Sequence, residues 1–147
     1  MLSDLLTYNQ YANQKIISSF VEDGFMAAEG VKLFSHLINA HHRWLARMHE
    51  KDATYAVWEI HEIRSFSIID KENHSLSFQL LNDLTALDDE VAYVNSQGAE
   101  YQNSYRDIFM HIINHSTYHR GQLSRIIRNE GFVPPNTDYI FYRRDLF

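Results

Sequence analysis

The chain has 147 residues, of which 45% are apolar, and it carries a formal net charge of −6. This length and composition fit one globular domain spanning residues 1–147. The negative charge argues against a nucleic-acid-binding face, and the absence of cysteine excludes disulfides, thiolate metal sites and a cysteine nucleophile. No apolar run approaches the roughly 18 residues of a membrane span, and the amino terminus lacks signal-peptide features. We therefore expect a cytoplasmic protein that binds neither membranes nor nucleic acid.

The first half of the chain contains two segments whose apolar residues recur at helical spacing. They predict helices over residues 3–23 and 31–50. Ser3 is the candidate N-cap of the first helix, and Gly24 is its candidate stop. Residues 51–72 show no regular periodicity, so we expect loops and short pieces there.

The second half predicts two more helices separated by an irregular segment. A third helix is expected over residues 75–89, built on a run of regularly spaced leucines. Alternation over residues 90–103 predicts a short hairpin or an irregular crossover. Ser104 and Asp107 resemble a capping box that opens a fourth helix, which should end near Gly131. The aromatic tail, residues 136–147, is expected to pack back as a strap or short helix.

Four substantial helices with a long connection after the second define the expected architecture. We predict an all-α fold, a four-helix bundle with a long crossover between helices 2 and 3.

Histidines on the fourth predicted helix suggest a metal site. His111, His115 and His119 recur at four-residue spacing and therefore line one helix face. Two imidazoles at i and i+4 can reach a single ion, although such a stripe can also be a hydrogen-bonded polar seam. The second helix offers His36, His41, His42 and His49 as a third ligand. His36 is the best candidate because it lies among residues expected to face the interior.

Three histidines from two helices, with open coordination positions, are typical of a catalytic metal site. The metalloprotease pattern His-Glu-x-x-His fails at His61, because Ser65 stands where the second histidine is needed. No glutamate has a histidine three residues later, which excludes the usual di-iron bundle motif. No side chain stands out as general base, so the reactive group would be a metal-bound water or thiol.

Several of these motifs together resemble the DinB/YfiT-like superfamily. They are residues 33–36 (LFSH), residues 111–122 (HIINHSTYHRGQ) and the exit Gly131-x-x-Pro134, with residues 8–13 (YNQYAN) as weaker support. The resemblance implies a four-helix bundle and a divalent transition metal, zinc or nickel, held by His36, His115 and His119. His111 is less securely a ligand and is expected to orient the site, with Asp107 one turn before it.

Two further residues of the fourth helix have expected roles. Arg120 is the candidate anchor for a cofactor anion, with a structural ion pair as the alternative. Gly121 is expected to permit close helix packing.

The resemblance also implies the function. Relatives of this kind include bacillithiol- and mycothiol-dependent thiol S-transferases, in which a metal activates a low-molecular-weight thiol. We therefore expect a homodimeric metal-dependent transferase acting on a small-molecule substrate. The alternatives are a metal-dependent hydrolase, a non-catalytic metal-binding stress or damage-response protein, and an interaction module whose histidines are only structural.

Overall fold

The structure, a computed structural model, describes residues 1–146. Its elements in chain order are α1 (Leu2–Val21), α2 (Ala28–Met48), α3 (Ile63–Asp83), β1 (Glu90–Val94), β2 (Glu100–Ser104), α4 (Tyr105–Asn129) and α5 (Tyr139–Asp145). Helices α1 and α2 each pack against both α3 and α4, so the protein interior lies between these four long helices. The prediction of a mostly helical protein is confirmed, with a small two-stranded sheet in addition. Within residues 1–146, no helix has both the length and the apolar character needed to cross a membrane.

Two large apolar clusters fill the interior, with a polar layer between them, and a smaller cluster of Tyr8, Ala12 and Tyr142 lies between α1 and α5. One cluster is centred on Phe20, Phe34 and Phe66, and the other includes Leu6 and Phe109. On each of the four long helices, buried polar residues lie in the sequence between the residues of the two clusters. Apart from His119, these buried polar residues are Asn9, Asn13, Asn39, His41, Asp70, Asn73, His74, Ser77, Ser116 and Arg120.

Helix ends agree with the capping signals at some positions and differ at others. The Ser104 hydroxyl accepts a hydrogen bond from the Asp107 backbone N–H at 3.1 Å, which confirms the predicted N-cap of α4. Gly24 and Gly131 follow their helices with positive φ, as a glycine stop requires. Ser3 is not a cap, because α1 already begins at Leu2 and its N-cap position is Met1.

The predicted third helix was misplaced. It was expected over residues 75–89, whereas α3 begins twelve residues earlier, at Ile63, and ends at Asp83. The cause is the polar layer: the inward face of α3 carries Asp70, Asn73, His74 and Ser77 in its middle, which hides the apolar periodicity. The expectation that the leucines of this segment form the buried face was also wrong in part, because the first of them, Leu76, is exposed.

The sequence correctly predicted a short hairpin before α4 and a tail that packs back on the protein. Strands β1 and β2 pair antiparallel, with Val91 opposite Asn103, so the hairpin alternative is confirmed. In the tail, α5 packs on α1 through Tyr142, whose ring centroid lies 5.6 Å from that of Tyr8. The last residue of the predicted tail, Phe147, lies outside the described residues.

Candidate metal centre

The structure brings together the three histidines that the sequence selected. His36 comes from α2, and His115 and His119 come from successive turns of α4. One nitrogen from each of the three rings lies within 4.8 Å of the others. The Nε2 atoms of His115 and His119 are 3.1 Å apart. We call His36, His115 and His119 the histidine triad.

Helix geometry explains why these rings meet. Residues 115 and 119 are separated by one turn and so project from the same face of α4. That face packs against α2, where His36 is almost completely buried. The His36 ring stands edge-on to His119, with centroids 4.9 Å apart and an angle of 89° between the ring planes.

Two rings of the triad are oriented by carbonyl groups. The Nδ1 atom of His36 donates to the backbone carbonyl of Val57 at 3.1 Å, and Nδ1 of His119 donates to Oε1 of Gln122 at 2.7 Å. Because a carbonyl oxygen only accepts, each Nδ1 carries the hydrogen and each Nε2 keeps its lone pair. Metal-binding histidines are commonly fixed in this way, by donating the second ring nitrogen to a carbonyl. The donor set therefore fits a divalent transition metal ion.

Burial favours the neutral imidazole form of two triad members, His36 and His115. Burial lowers the pKa of His36, an effect that the hydrogen bond to Val57 partly opposes. Burial, and then repulsion from the neighbouring histidines, first His119, together lower the pKa of His115 to about 3. Neutral imidazole is the form that binds a metal, so neither His36 nor His115 has to lose a proton first at neutral pH.

A cavity of about 620 Å³ opens onto the triad, because His119 forms part of its wall. Trp58 and Tyr118 also line this cavity. The indole of Trp58 stacks on His36 with ring centroids 3.9 Å apart, and Tyr118 stands against His119 with centroids 5.1 Å apart. We call this space the triad cavity. Its volume is within the range of small-molecule binding sites.

Neither His111 of α4 nor the other histidines in and directly after α2 join the triad. The His111 ring contacts Trp44, with centroids 5.0 Å apart, and lies one turn from His115. His41 points into the interior, where its Nε2 lies 2.8 Å from the Ser77 hydroxyl. His42 instead accepts a hydrogen bond from the backbone N–H of a loop residue, and His49 is the C-cap of α2. His36 is therefore the histidine of α2 that the structure places beside His115 and His119.

Arg120 lies in the polar layer and not in the wall of the triad cavity. Its Nη1 donates to the side-chain oxygens of Asn9 and Asn13 at 2.6 and 2.7 Å, and Nη2 donates to the Thr117 hydroxyl at 2.9 Å. Asn13 in turn donates to the buried carboxylate of Asp70 at 2.8 Å. These contacts favour a structural role for Arg120, through asparagines and not through the direct ion pair considered above. Its role as an anchor for a cofactor anion stays a prediction.

The close-packing role expected for Gly121 is wrong. A Cβ atom added there would meet no atom within 4 Å. Close packing instead occurs at Gly30 on α2, where an added Cβ atom would lie 2.5 Å from a ring carbon of Phe25.

Sequence reasoning missed two parts of the site. The carbonyl of Val57 has no sequence signature, because any residue type supplies one. Lys32 and Arg125 line the triad cavity. The sequence does not single out Lys32, and it offers Arg125 only as part of an arginine cluster that could bind an anion but is more typical of a solvated helix face. Their spacing from His36 and His119 was the available signal, since both lie on the helices that carry the triad.

Comparisons with known proteins assign the chain to the same family that the histidine motifs resemble. The sequence profile of the DinB family matches residues 4–145, so the chain belongs to the DinB family and the predicted resemblance is confirmed. Protein DinB of Bacillus subtilis (strain 168) is 31% identical over 48 residues, a stretch that covers 33% of this chain and 28% of that relative. The match therefore spans less than a third of the relative's length. No solved structure matches the chain.

Proposed function

We propose that this member of the DinB family binds one divalent transition metal ion, zinc or nickel, through His36, His115 and His119. We further propose that it is an enzyme that transfers a low-molecular-weight, bacillithiol-like thiol to a small molecule. One observation carries the proposal: three imidazole nitrogens converge within 4.8 Å beside a cavity large enough for a small molecule.

The chemistry of such a site suits thiol transfer. A divalent cation lowers the pKa of a nearby thiol, and the thiolate is the nucleophilic form. In the overall reaction a sulfur–carbon bond forms, the leaving group departs with the electrons of its bond, and the thiol proton passes to solvent. The protein contributes three imidazole nitrogen donors and a cavity with aromatic walls, which positions the electrophile.

Metal content provides the first test. Protein purified without an affinity tag should contain about one equivalent of transition metal by elemental analysis. His36→Ala, His115→Ala and His119→Ala should each lose it, because two imidazoles bind much more weakly than three. His49→Ala, at the C-cap of α2, is the matched control and should keep the metal. Wild-type protein that is metal-free and refuses added zinc and nickel would overturn the proposal.

Catalysis requires a separate test, because metal binding alone also fits a stress or damage-response protein without activity. The triad cavity supports an enzyme, since a simple metal binder needs no space for a substrate beside the ion. Metal-loaded protein should consume free thiol in the presence of alkyl or aryl halides, and His115→Ala should not. Product release without thiol consumption would identify a metal-dependent hydrolase instead.

Three further properties are proposed from family membership. We expect the four long helices to form the four-helix bundle of DinB/YfiT-like proteins, the protein to be a homodimer, and its location to be the cytoplasm. Sedimentation equilibrium tests the dimer, and cell fractionation tests the location.

A further inference from the structure

The rim of the triad cavity carries two cationic side chains, one from each helix that supplies the triad. Lys32 lies four residues before His36 on α2, about 6 Å along the helix axis. Arg125 lies six residues after His119 on α4, about 9 Å along that axis. Both side chains line the triad cavity. The two cations therefore lie at the same side of the triad, within reach of one small molecule.

These cations are not neutralised by ion pairs in the described part of the chain. No carboxylate of residues 1–146 lies within 4.0 Å of the charged nitrogens of Lys32 or Arg125, although Glu29 lines the same cavity. Two cations and one carboxylate line the cavity, so its formal charge is positive on a chain whose net charge is −6. An excess of positive charge at a cavity mouth on an acidic protein marks a site for an anion.

Aromatic contacts hold one of the cations beside the triad. The Lys32 ammonium lies over the Trp58 ring, 5.5 Å from its centroid, and the same ring stacks on His36. Lys32, Trp58 and His36 thus form a continuous series from the rim to the triad. A ligand group bound by Lys32 is consequently close to a ligand group at the triad nitrogens.

We propose that Lys32 and Arg125 form a carboxylate-binding subsite, and that the molecule reacting at the triad is a carboxylate-bearing small molecule. This inference rests on the proposed function, whose substrate class it specifies. Arg125 can grip a carboxylate with two parallel N–H donors, and Lys32 adds a point charge. The carboxylate lies a few bonds from the reacting group, because the subsite is one to two helical turns from the triad.

The test uses protein loaded with Co²⁺, whose visible absorption changes when a ligand reaches the ion. We would titrate it with three thiols of similar size: 3-mercaptopropionate, 2-mercaptoethanol and cysteamine. In the wild type the anionic thiol should bind about tenfold more tightly than the neutral one, as two partly solvated charge contacts allow. The cationic thiol should bind most weakly.

The decisive comparison is between variants. The double variant Lys32→Gln/Arg125→Gln should lose the preference for 3-mercaptopropionate and bind 2-mercaptoethanol as the wild type does. The matched control is Lys71→Gln/Arg106→Gln, which removes the same charge from the surface of α3 and from the far end of α4. Arg106 is 19 residues from Arg125, roughly 28 Å along the helix axis. The control should keep the preference.

Equal affinity of the wild type for the three thiols, or the same loss of preference in the control, would overturn the carboxylate subsite. Failure of Co²⁺ to bind would instead refute the proposed function, and the inference with it. If Co²⁺ binds and no thiol alters its spectrum, the transferase proposal fails. Succinate titrated against the fluorescence of Trp58, in a Trp44→Phe background, then decides the subsite: saturable quenching that Lys32→Gln/Arg125→Gln abolishes supports it, and no quenching overturns it.

Discussion

The hydrogen bond between His119 and Gln122 allows a direct test of whether the metal centre is preorganised. Oε1 of Gln122 lies 2.7 Å from Nδ1 of His119, and the same ring places Nε2 at 3.1 Å from Nε2 of His115. Gln122→Ala removes the acceptor and leaves the imidazole free to rotate. Loss of such a partner typically weakens metal binding by about 10- to 100-fold.

The exposure of Gln122 decides which end of that range applies. The side chain lies at the surface, so water can replace part of the lost hydrogen bond. We therefore expect about a tenfold increase in the dissociation constant, or about 1.4 kcal/mol. The free energy of unfolding of the metal-free protein should change by less than about 0.5 kcal/mol, as for other surface substitutions.

The affinity for Zn²⁺ would be measured at neutral pH by competition with a chromophoric chelator. Gln122→Glu keeps an acceptor for the His119 N–H and should bind Zn²⁺ at least as tightly as the wild type. Gln79→Ala, on the exposed face of α3, is the matched control and should have no effect. An affinity of Gln122→Ala equal to that of the wild type would show that helix packing alone orients His119.

The remaining predictions concern folding stability, measured by urea denaturation. Arg120→Met leaves two buried asparagine oxygens without a donor and should cost about 1–3 kcal/mol for each, as a buried acceptor without a partner does. Burial, and then repulsion from a second histidine, hold the pKa of His41 well below 6.5. The unfolded chain then binds more protons than the folded one, so stability should fall as the pH drops below about 6.5, and His41→Gln should flatten this profile. Gly30→Ala should cost about 1–3 kcal/mol by overpacking against Phe25, whereas Gly121→Ala should stabilise α4 by about 0.5–1 kcal/mol. An Arg120→Met variant as stable as the wild type would contradict the first expectation. Equal pH dependence of the unfolding free energy in the wild type and His41→Gln would contradict the second, and equal effects of Gly30→Ala and Gly121→Ala would contradict the third.

Local spacing was enough to predict the parts of the molecule that depend on one element at a time. His115 and His119 are one turn apart, so any helix through them brings their rings together. The N-cap at Ser104 and the stop at Gly131 likewise depend on the backbone within a few residues. His36 was selected because its neighbours Leu33 and Leu37 mark an inward face.

Contacts between distant segments could not be predicted in the same way. The Val57 carbonyl reaches His36 from the loop after α2, and its position depends on how that loop folds back. The start of α3 was missed because its inward face is polar, and those polar residues find their partners on other helices. Asp70 and His74 read as surface residues until Asn13 and Asn9 of α1 are placed opposite them.

The polar layer explains how the fold supports the triad. Neighbouring residues of a helix point about 100° apart, so His119 faces the triad cavity while Arg120 faces the interior. There Arg120 donates hydrogen bonds to Asn9 and Asn13 of α1. These two asparagines are in turn hydrogen-bonded to α3. Apolar side chains tolerate sliding between helices, whereas directional hydrogen bonds are satisfied in only one register. A slip of one residue along α4 would break these bonds and rotate His119 away from His36. The polar layer therefore fixes the register of α4, and Arg120→Met should weaken Zn²⁺ binding even under conditions in which it remains folded.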